Sequence, residues 1–314
     1  MLGLSDPAAA EPPPETKKVR LIHGPAICFA PQYLAEDLLR LEGFSEIEYV
    51  EDETGNSLEA LANGRADLSM WDAYGALPML DAGKPVVLIA GIHAGCYELI
   101  AADPVRAIRD LKGKTIAVYA IGQGAHVLVA SMLAYVGLNP NTDVHWVAGP
   151  RAEDAIRLFE EGKADAFLGF PPHPQELRAK KVGHVILDTS RDRPWSQYFC
   201  CMLTANRQFA ATRPIATKRA LRAFLKAADI CAQDPARAAR YMVEKGYEPR
   251  FEVAHEVLTQ LSYRRWREAN PEDTLRFYAL RLHEVGMIKT NPNKLIAQGT
   301  DWRFLNELKR ELKA

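Results

Sequence analysis

The sequence has almost no net charge: 39 basic and 40 acidic side chains among 314 residues leave −1 at pH 7. A chain so balanced offers no electrostatic footprint for nucleic acid or an anionic membrane surface. It has no apolar run approaching the ~18 to 20 residues that cross a bilayer as a helix. Its five cysteines, Cys28, Cys96, Cys200, Cys201 and Cys231, contain no CxxC pair and no metal-ligand spacing with histidine. An odd count leaves at least one thiol unpaired, and a chain this long needs no disulfides to fold, so buried, inert cysteine is the expectation. No pair of histidines stands with carboxylates at ligand spacing, so neither metal nor cofactor is expected. There is no G-x-S-x-G elbow and no nucleophile with an evident base, which argues against a hydrolase.

What is present is ordinary globular material. Apolar residues make up 48% and charged residues 25%, enough to bury a real core. The length suggests roughly two domains. The N-terminal "MLGLSDPAAAEPPPETKK" has a short apolar start, then Ala8-Ala9-Ala10 and a Pro-rich stretch. It looks like the tail of a secretory signal, with a plain Ala/Pro-rich tail as the alternative. Either way residues 1–17 are expected to lie outside the fold.

One phrase occurs twice. "GRADLSMW" from Gly64 returns as "GKADAFLGF" from Gly162, 98 positions later. The segments around it repeat as well. "VRLIHG" after Lys18 reads as a strand. "PQYLAEDLLRLEGF" has helical apolar spacing and a glycine stop at Gly43, "IEYVE" reads as a strand, and "SLEALANG" as a short helix. After Lys114 come "KTIAVYA", the helix "AHVLVASMLAYVGL" ending at Gly137, "VHWVA", and "RAEDAIRLFEEG". Matching positions lie 96 (Lys18, Lys114), 94 (Gly43, Gly137) and 98 residues apart. Within the phrase, glycine supplies the left-handed end of a helix and the basic residue favours the negative end of the helix dipole. The aspartate is expected to cap the turn, and the apolar run to form a buried strand.

Two copies of a βαβ pattern predict an α/β protein of two lobes joined by two hinge crossings, with C-terminal helices after Gln208. "PVVLIAGIHAGCYELIAA" (85–102) is rich enough in β-formers for two strands, and "VGHVILD" and "YFCCMLTA" supply two more. The crossings are placed near Asp103–Gly113 and Gln197–Ala205. Lobe one is then 18–104 plus 203–314, and lobe two 105–202. Ligands of open α/β sheets bind beyond the carboxyl ends of the strands, so the loops after the first and third strands of each copy are the places to look.

The order of these phrases resembles the periplasmic (type II) solute-binding proteins of the nitrate, sulfonate and taurine ABC importers, together with their thiamine-pyrimidine-precursor relatives. The resemblance rests on "PQYLAEDLLRLEGF", "LANGRADLSMWDAYGALPMLDAGKPVVLIAG", "LKGKTIAVYAIGQGAHVLVASMLAYVGLNP", "AIRLFEEGKADAFLGFPPHPQEL" and "RPIATKRALRAFLKAADICAQDPARAARYM", together about residues 18–245. It implies a monomeric receptor outside the cytoplasm that closes on a small solute and docks to a membrane permease, and not an enzyme.

In lobe one the candidate contacts are Ile27, Cys28, Phe29 and Gln32 after the first strand, and Trp71 and Asp72 after the third. In lobe two Gly122, Gln123, Gly124 and His126 open a helix whose free N–H groups suit an anionic oxygen, and Phe170 and Pro172 follow the third strand. His93, Cys96 and Tyr198 lie near the crossings. A buried indole face contributes up to ~4 to 6 kcal/mol, whereas a helix N-terminus gives an exposed anion only ~0.3 to 1 kcal/mol. The candidate loops hold Asp72 but no Lys or Arg, and inorganic oxyanions usually require such donors. The expected cargo is therefore a small, planar or aromatic organic solute, with a carboxylate or sulfonate allowed.

Two rivals share the fold. A fungal enzyme that makes the thiamine pyrimidine carries a cysteine-rich run that "YFCCML" faintly resembles, but Trp71 and Gly75 stand where that enzyme supplies a reactive lysine and histidine. A cytoplasmic ligand sensor would require that the N-terminal tail be no signal.

Overall fold

The computed structural model describes residues 11–24, 26–51, 57–149 and 152–313. Ten strands form two five-stranded sheets. The first holds β1 (Lys18–Ile22), β2 (Glu46–Val50), β3 (Leu68–Asp72), β4 (Val86–Ala94) and β10 (Phe199–Asn206), in the order β2-β1-β3-β10-β4. The second holds β5 (Glu98–Ala101), β6 (Thr115–Ala117), β7 (His145–Val147), β8 (Ala166–Gly169) and β9 (His184–Asp188), in the order β7-β6-β8-β5-β9. The two orders superimpose term by term. In each, three strands of the repeat run parallel, and the fourth place is taken by an antiparallel strand that follows a crossing.

The local reasons are those visible in the sequence. The helix Ala30–Leu41 carries proline in its first turn, where no N–H is needed, and ends before Gly43 at φ +104°. β4, "VVLIAGIHA", is buried along all nine residues, as befits a strand covered on both faces. It is an edge strand, and Thr300, next to the helix Pro292–Gly299, bridges Leu88, which limits its exposure to other chains.

The repeated phrase has a sharper role than expected. Gly64 (φ +75°) and Gly162 (φ +70°) end their helices in the left-handed region. The aspartates do not cap that turn; each clamps the neighbouring first strand of its copy. Asp67 donates its N–H to the Arg20 carbonyl (2.8 Å), while its carboxylate accepts from Arg20 N–H (2.8 Å) and the Arg20 guanidinium (2.6 Å). Asp165 does the same to Thr115, N–H to carbonyl at 2.8 Å and carboxylate from N–H at 2.8 Å. The duplicated "G(R/K)AD" is a duplicated strand clamp.

The crossings fall elsewhere than expected. β5 already belongs to the second sheet, so the chain leaves lobe one at Gly95–Tyr97 rather than at 103–113. It returns through Thr189–Tyr198, and β10 lies wholly in the first sheet. The two crossings are tied together. Thr189 N–H and Oγ both donate to the Tyr97 carbonyl (2.9 Å each), and its Oγ accepts from Cys96 N–H (3.1 Å) and Tyr97 N–H (2.9 Å). Gly95, at φ +64°, lies so close to Ser190 that a Cβ would stand 2.3 Å from its Cα.

Residues 11–17 are part of the fold, contrary to the expectation for 1–17; residues 1–10 lie outside the described residues. Glu15 accepts from the Ile215 and Ala216 N–H groups (3.0 and 2.7 Å) at the start of the helix Pro214–Gln233. Glu11 pairs with Lys218 (3.2 Å) and Arg222 (2.8 Å) on the same helix.

The clamp makes a prediction. Asp67→Ala should lower unfolding stability by about 1–3 kcal/mol, because it orphans a buried N–H and a charge-assisted pair. Asp165→Ala, lacking an arginine partner at that distance, should cost less. Urea midpoints of the two variants against the parent decide it; unchanged midpoints would mean the phrase has no structural role.

Candidate functional site

The carboxyl ends of β1, β3, β6 and β8 converge on a cavity of about 390 Å³ between the lobes. Its walls are largely aromatic: Phe29 and Trp71 from lobe one, Tyr97 from the first crossing, and Tyr119 and Phe170 from lobe two. Phe29 and Trp71 pack at 5.3 Å between ring centroids, and Tyr119 and Phe170 at 4.8 Å, so the two lobes present facing ring pairs. Tyr119 is fixed by hydrogen bonds. Its hydroxyl lies 2.8 Å from His173 Nδ1 and accepts from Phe170 N–H at 3.3 Å. Burial holds the His173 imidazole below its ordinary range, so a neutral ring accepting the phenolic proton fits this geometry.

The polar lining is sparse. His23 and Glu51 pair at 2.9 Å on the lobe-one side, and Gln123 and Gly124 contribute the start of the helix Gly124–Tyr135. Asp72 is the buried carboxylate. Its Oδ1 accepts from Gly75 N–H at 2.7 Å. Burial, with the Cys200 sulfur adding to it and the Gly75 N–H opposing, pushes its pKa up to about 7. No lysine or arginine is among the described lining residues.

The lobes meet at the rim. A Cβ on Gly124 would stand 2.2 Å from Asp72 Oδ2, and one on Gly75 would stand 2.3 Å from Asp72 Oδ1 and 3.3 Å from Gly124 Cα. The two glycines give the lobes room to close, and Gly75 leaves no space for a side chain.

Of the residues singled out from sequence, Cys28, Phe29, Trp71, Asp72, Cys96, Gln123, Gly124 and Phe170 border this cavity, and Gly122 borders a smaller adjoining one. Six do not border it. Ile27 is buried in the core. Gln32 is buried and bonded to backbone, its amide donating to the Ile22 carbonyl (2.8 Å) and its oxygen accepting from Met70 N–H and Ser69 Oγ (2.9 Å each). His126 turns onto Trp146 (4.4 Å) and accepts from Gly122 N–H (3.2 Å), and burial lowers its pKa to about 4. Tyr198 stacks on Phe277 at 4.1 Å, and Pro172 sits at the start of the helix His173–Lys180. His93 lies behind the cavity floor, fully buried. His23, Glu51, Tyr97, Tyr119 and Cys201 were not singled out, although Tyr119 stands near the end of "KTIAVYA" much as Trp71 ends "ADLSMW".

The cysteines are not scattered. Cys28, Cys96 and Cys201 border the cavity, with Cys200 and His93 behind them. One ligand atom from each of Cys28, Cys96 and Cys201 lies within 4.8 Å of the others, as do those of His93, Cys200 and Cys201. Cys96 and Cys200 Sγ stand 2.6 Å apart. The neighbouring Cys201 and Cys96 thiols hold Cys28 well below the usual thiol range, while burial pushes Cys96 and Cys201 up. Only Cys231 is away from the group, in the helix Pro214–Gln233, where burial raises its pKa.

A raised Asp72 pKa has a definite sign. Between pH 3.8, the ordinary aspartate value, and about 7, the unfolded chain has lost this proton and the folded chain keeps it. Stability therefore falls as pH rises through that window, by at most about 1.4 kcal/mol per unit, and is level above it. Asp72→Asn keeps an acceptor for Gly75 and removes the titration. The loss of melting temperature from pH 5 to pH 7.5 should be smaller in the variant; an equal loss would remove Asp72 from the account.

The chain resembles known proteins over nearly all its length. A model of the NMT1-like family matches residues 13–244. No curated protein matches by sequence. Among solved structures, the alkanesulfonate-binding protein SsuA of Xanthomonas axonopodis pv. citri, bound to MOPS, aligns with a TM-score of 0.73 at 19% identity, covering 94% of this chain and 100% of that one. The periplasmic nitrate-binding protein NrtA of Synechocystis PCC 6803 aligns with a TM-score of 0.76 at 15% identity, covering 95% and 90%. The desulfurization enzyme DSZB aligns with a TM-score of 0.63 at 16% identity, covering 94% and 100%. These likenesses establish the fold, two α/β lobes of the periplasmic-binding-protein type. With the family model spanning well over half of its length, the chain belongs to the NMT1-like family.

Proposed function

We propose that this protein is the extracytoplasmic solute receptor of an ABC importer, and that its cargo is a small planar or aromatic organic molecule. The observation that carries the reading is the cavity itself, about 390 Å³, set between two lobes, walled by facing aromatic pairs and lined by acidic side chains but no lysine or arginine among the described residues. The volume suits a molecule of drug-like size or smaller. The two binding proteins named above, for an alkanesulfonate and for nitrate, support the receptor role. They do not transfer their cargo, because the described lining offers an anion no lysine or arginine. A heteroaromatic ring with a neutral or cationic edge matches the walls better. Such a ring would stack between Trp71 and the lobe-two rings and reach Gln123 and the helix N-terminus with its polar edge.

Binding by closure follows from the wiring. Two crossings, tied at Thr189, leave rotation about them as the soft motion, and the solute favours the closed state through contacts made to both lobes at once. Native mass spectrometry of material co-purified with the protein identifies the class of cargo. A thermal-shift screen of pyrimidines, flavins, aromatic carboxylates and sulfonates is the cheaper test. A shift with planar heterocycles is expected. A shift only with sulfonate or nitrate would overturn the cargo, and no shift with any small molecule would overturn the receptor.

Two variants test the geometry. Trp71→Ala should weaken binding of the identified solute more than tenfold, about 1.4 kcal/mol or more. Gly124→Val should weaken it as well, by holding the lobes apart at the rim, and should leave a larger radius of gyration in solution scattering with the solute present. Parent-like affinity in the first variant would take Trp71 out of the recognition surface.

A further inference from the structure

Residues 28, 93, 96, 200 and 201 are distant in sequence, yet topology gathers them at one place. Cys28 comes from the loop after β1, His93 from the end of β4, Cys96 from the first crossing, and Cys200 and Cys201 from the start of β10. All five are buried. Two overlapping triads share Cys201, each with its ligand atoms within 4.8 Å of one another. Three sulfurs around one ion at a zinc–sulfur distance of about 2.3 Å stand about 3.8 Å apart, which is within the spacing of the Cys28, Cys96 and Cys201 triad.

The histidine supplies an independent observation. His93 is fully buried, and its Nδ1 lies 3.1 Å from the Gly95 carbonyl. A carbonyl only accepts, so Nδ1 carries the proton and Nε2 presents a lone pair. That Nε2 is buried without a hydrogen-bond partner. Its neighbours are the thiols of Cys28, Cys200 and Cys201, so the groups that face this buried acceptor are themselves metal-ligand types. A backbone carbonyl fixing the far nitrogen is also the arrangement that orients metal-ligating histidines.

We propose that the cluster of Cys28, Cys96, Cys200, Cys201 and His93 binds one thiophilic d10 cation, zinc(II) or copper(I), in the floor of the cleft, with Cys201, shared by the two triads, as a ligand and no more than four of the five donors on the ion at once. Soft thiolates select these ions over magnesium or calcium. Binding releases the thiol protons to solvent and leaves the oxidation state of metal and sulfur unchanged. Because Cys28, Cys96 and Cys201 also border the cavity, the ion would lie against any solute held there. The site stands whether or not the receptor reading does.

The test uses the whole chain, reduced with a phosphine, stripped of metal and desalted without oxygen. It is titrated with cobalt(II) as the spectroscopic substitute for zinc, then with zinc, and separately with copper(I) against a chromogenic chelator. One equivalent per chain is expected, with sulfur-to-cobalt charge transfer and tetrahedral visible bands that zinc abolishes, or with withdrawal of one copper(I) from the chelator. Cys201→Ser should weaken binding by about 100-fold or more, His93→Gln should weaken it while keeping the thiolate bands, and Cys231→Ser should leave it as in the parent. If Cys201→Ser does not fold by circular dichroism, Cys28→Ala and Cys96→Ala replace it. Binding well below one equivalent for both metals, cobalt spectra without thiolate bands, or equal affinity in Cys201→Ser and Cys231→Ser would overturn the site. So would a mass two hydrogens lower that marks a Cys96–Cys200 disulfide and returns after reduction in the presence of metal.

Discussion

The two lobes depend on one buried hydroxyl. Thr189 sits in the return crossing, and its hydroxyl holds the outgoing crossing by donating to the Tyr97 carbonyl and accepting from the Tyr97 and Cys96 N–H groups. The outgoing crossing is a short link, and the return crossing is a set of turns ending in the 3-10 helix Trp195–Gln197. Joined, they form a short double strap that sets where the sheets face each other and leaves one soft rotation. The cavity lies on one side of this strap, and the cysteine cluster is built partly from it. Gly95 completes the joint, since any side chain there would run into the Ser190 backbone.

The duplicated sheets then do the positioning. Because β2-β1-β3-β10-β4 and β7-β6-β8-β5-β9 follow the same plan, the loops after corresponding strands arrive at the cleft from opposite sides. Phe29 and Trp71 thus meet Tyr119 and Phe170 across the cavity. The clamp by Asp67 and Asp165 keeps the first and third strands of each lobe in step, so the loops that follow them end level. Asp72 sits at the meeting line, paired to its own lobe through Gly75 and pressed against the other through Gly124.

Much of this architecture was legible in the residues. Near-equal spacing of the Gly-cation-Ala-Asp phrase and of the helix-ending glycines marked out both lobes and the loops that border the cavity, because helix stops and strand starts are local chemistry. The first crossing was misplaced because Pro85–Ala102 is almost unbroken β-forming sequence, and the short Gly95–Tyr97 link between its two strands carries no loop-length signal. Gln32 and His126 read as cleft residues by position, but their side chains bond backbone groups of their own lobes, a choice that only packing decides. The thiol cluster was invisible for the same reason that spacing rules fail here. Its members meet through sheet order, and a search for short Cys-x-x-Cys steps cannot see a group assembled from four separate segments.

The placement of tryptophan has a practical consequence. Of the five tryptophans, Trp195 and Trp266 are buried in the core, Trp146 lies against His126, Trp302 caps a C-terminal helix, and Trp71 alone borders the cavity. The molecule therefore carries its own optical reporter, one indole placed where a bound solute would displace water from its face.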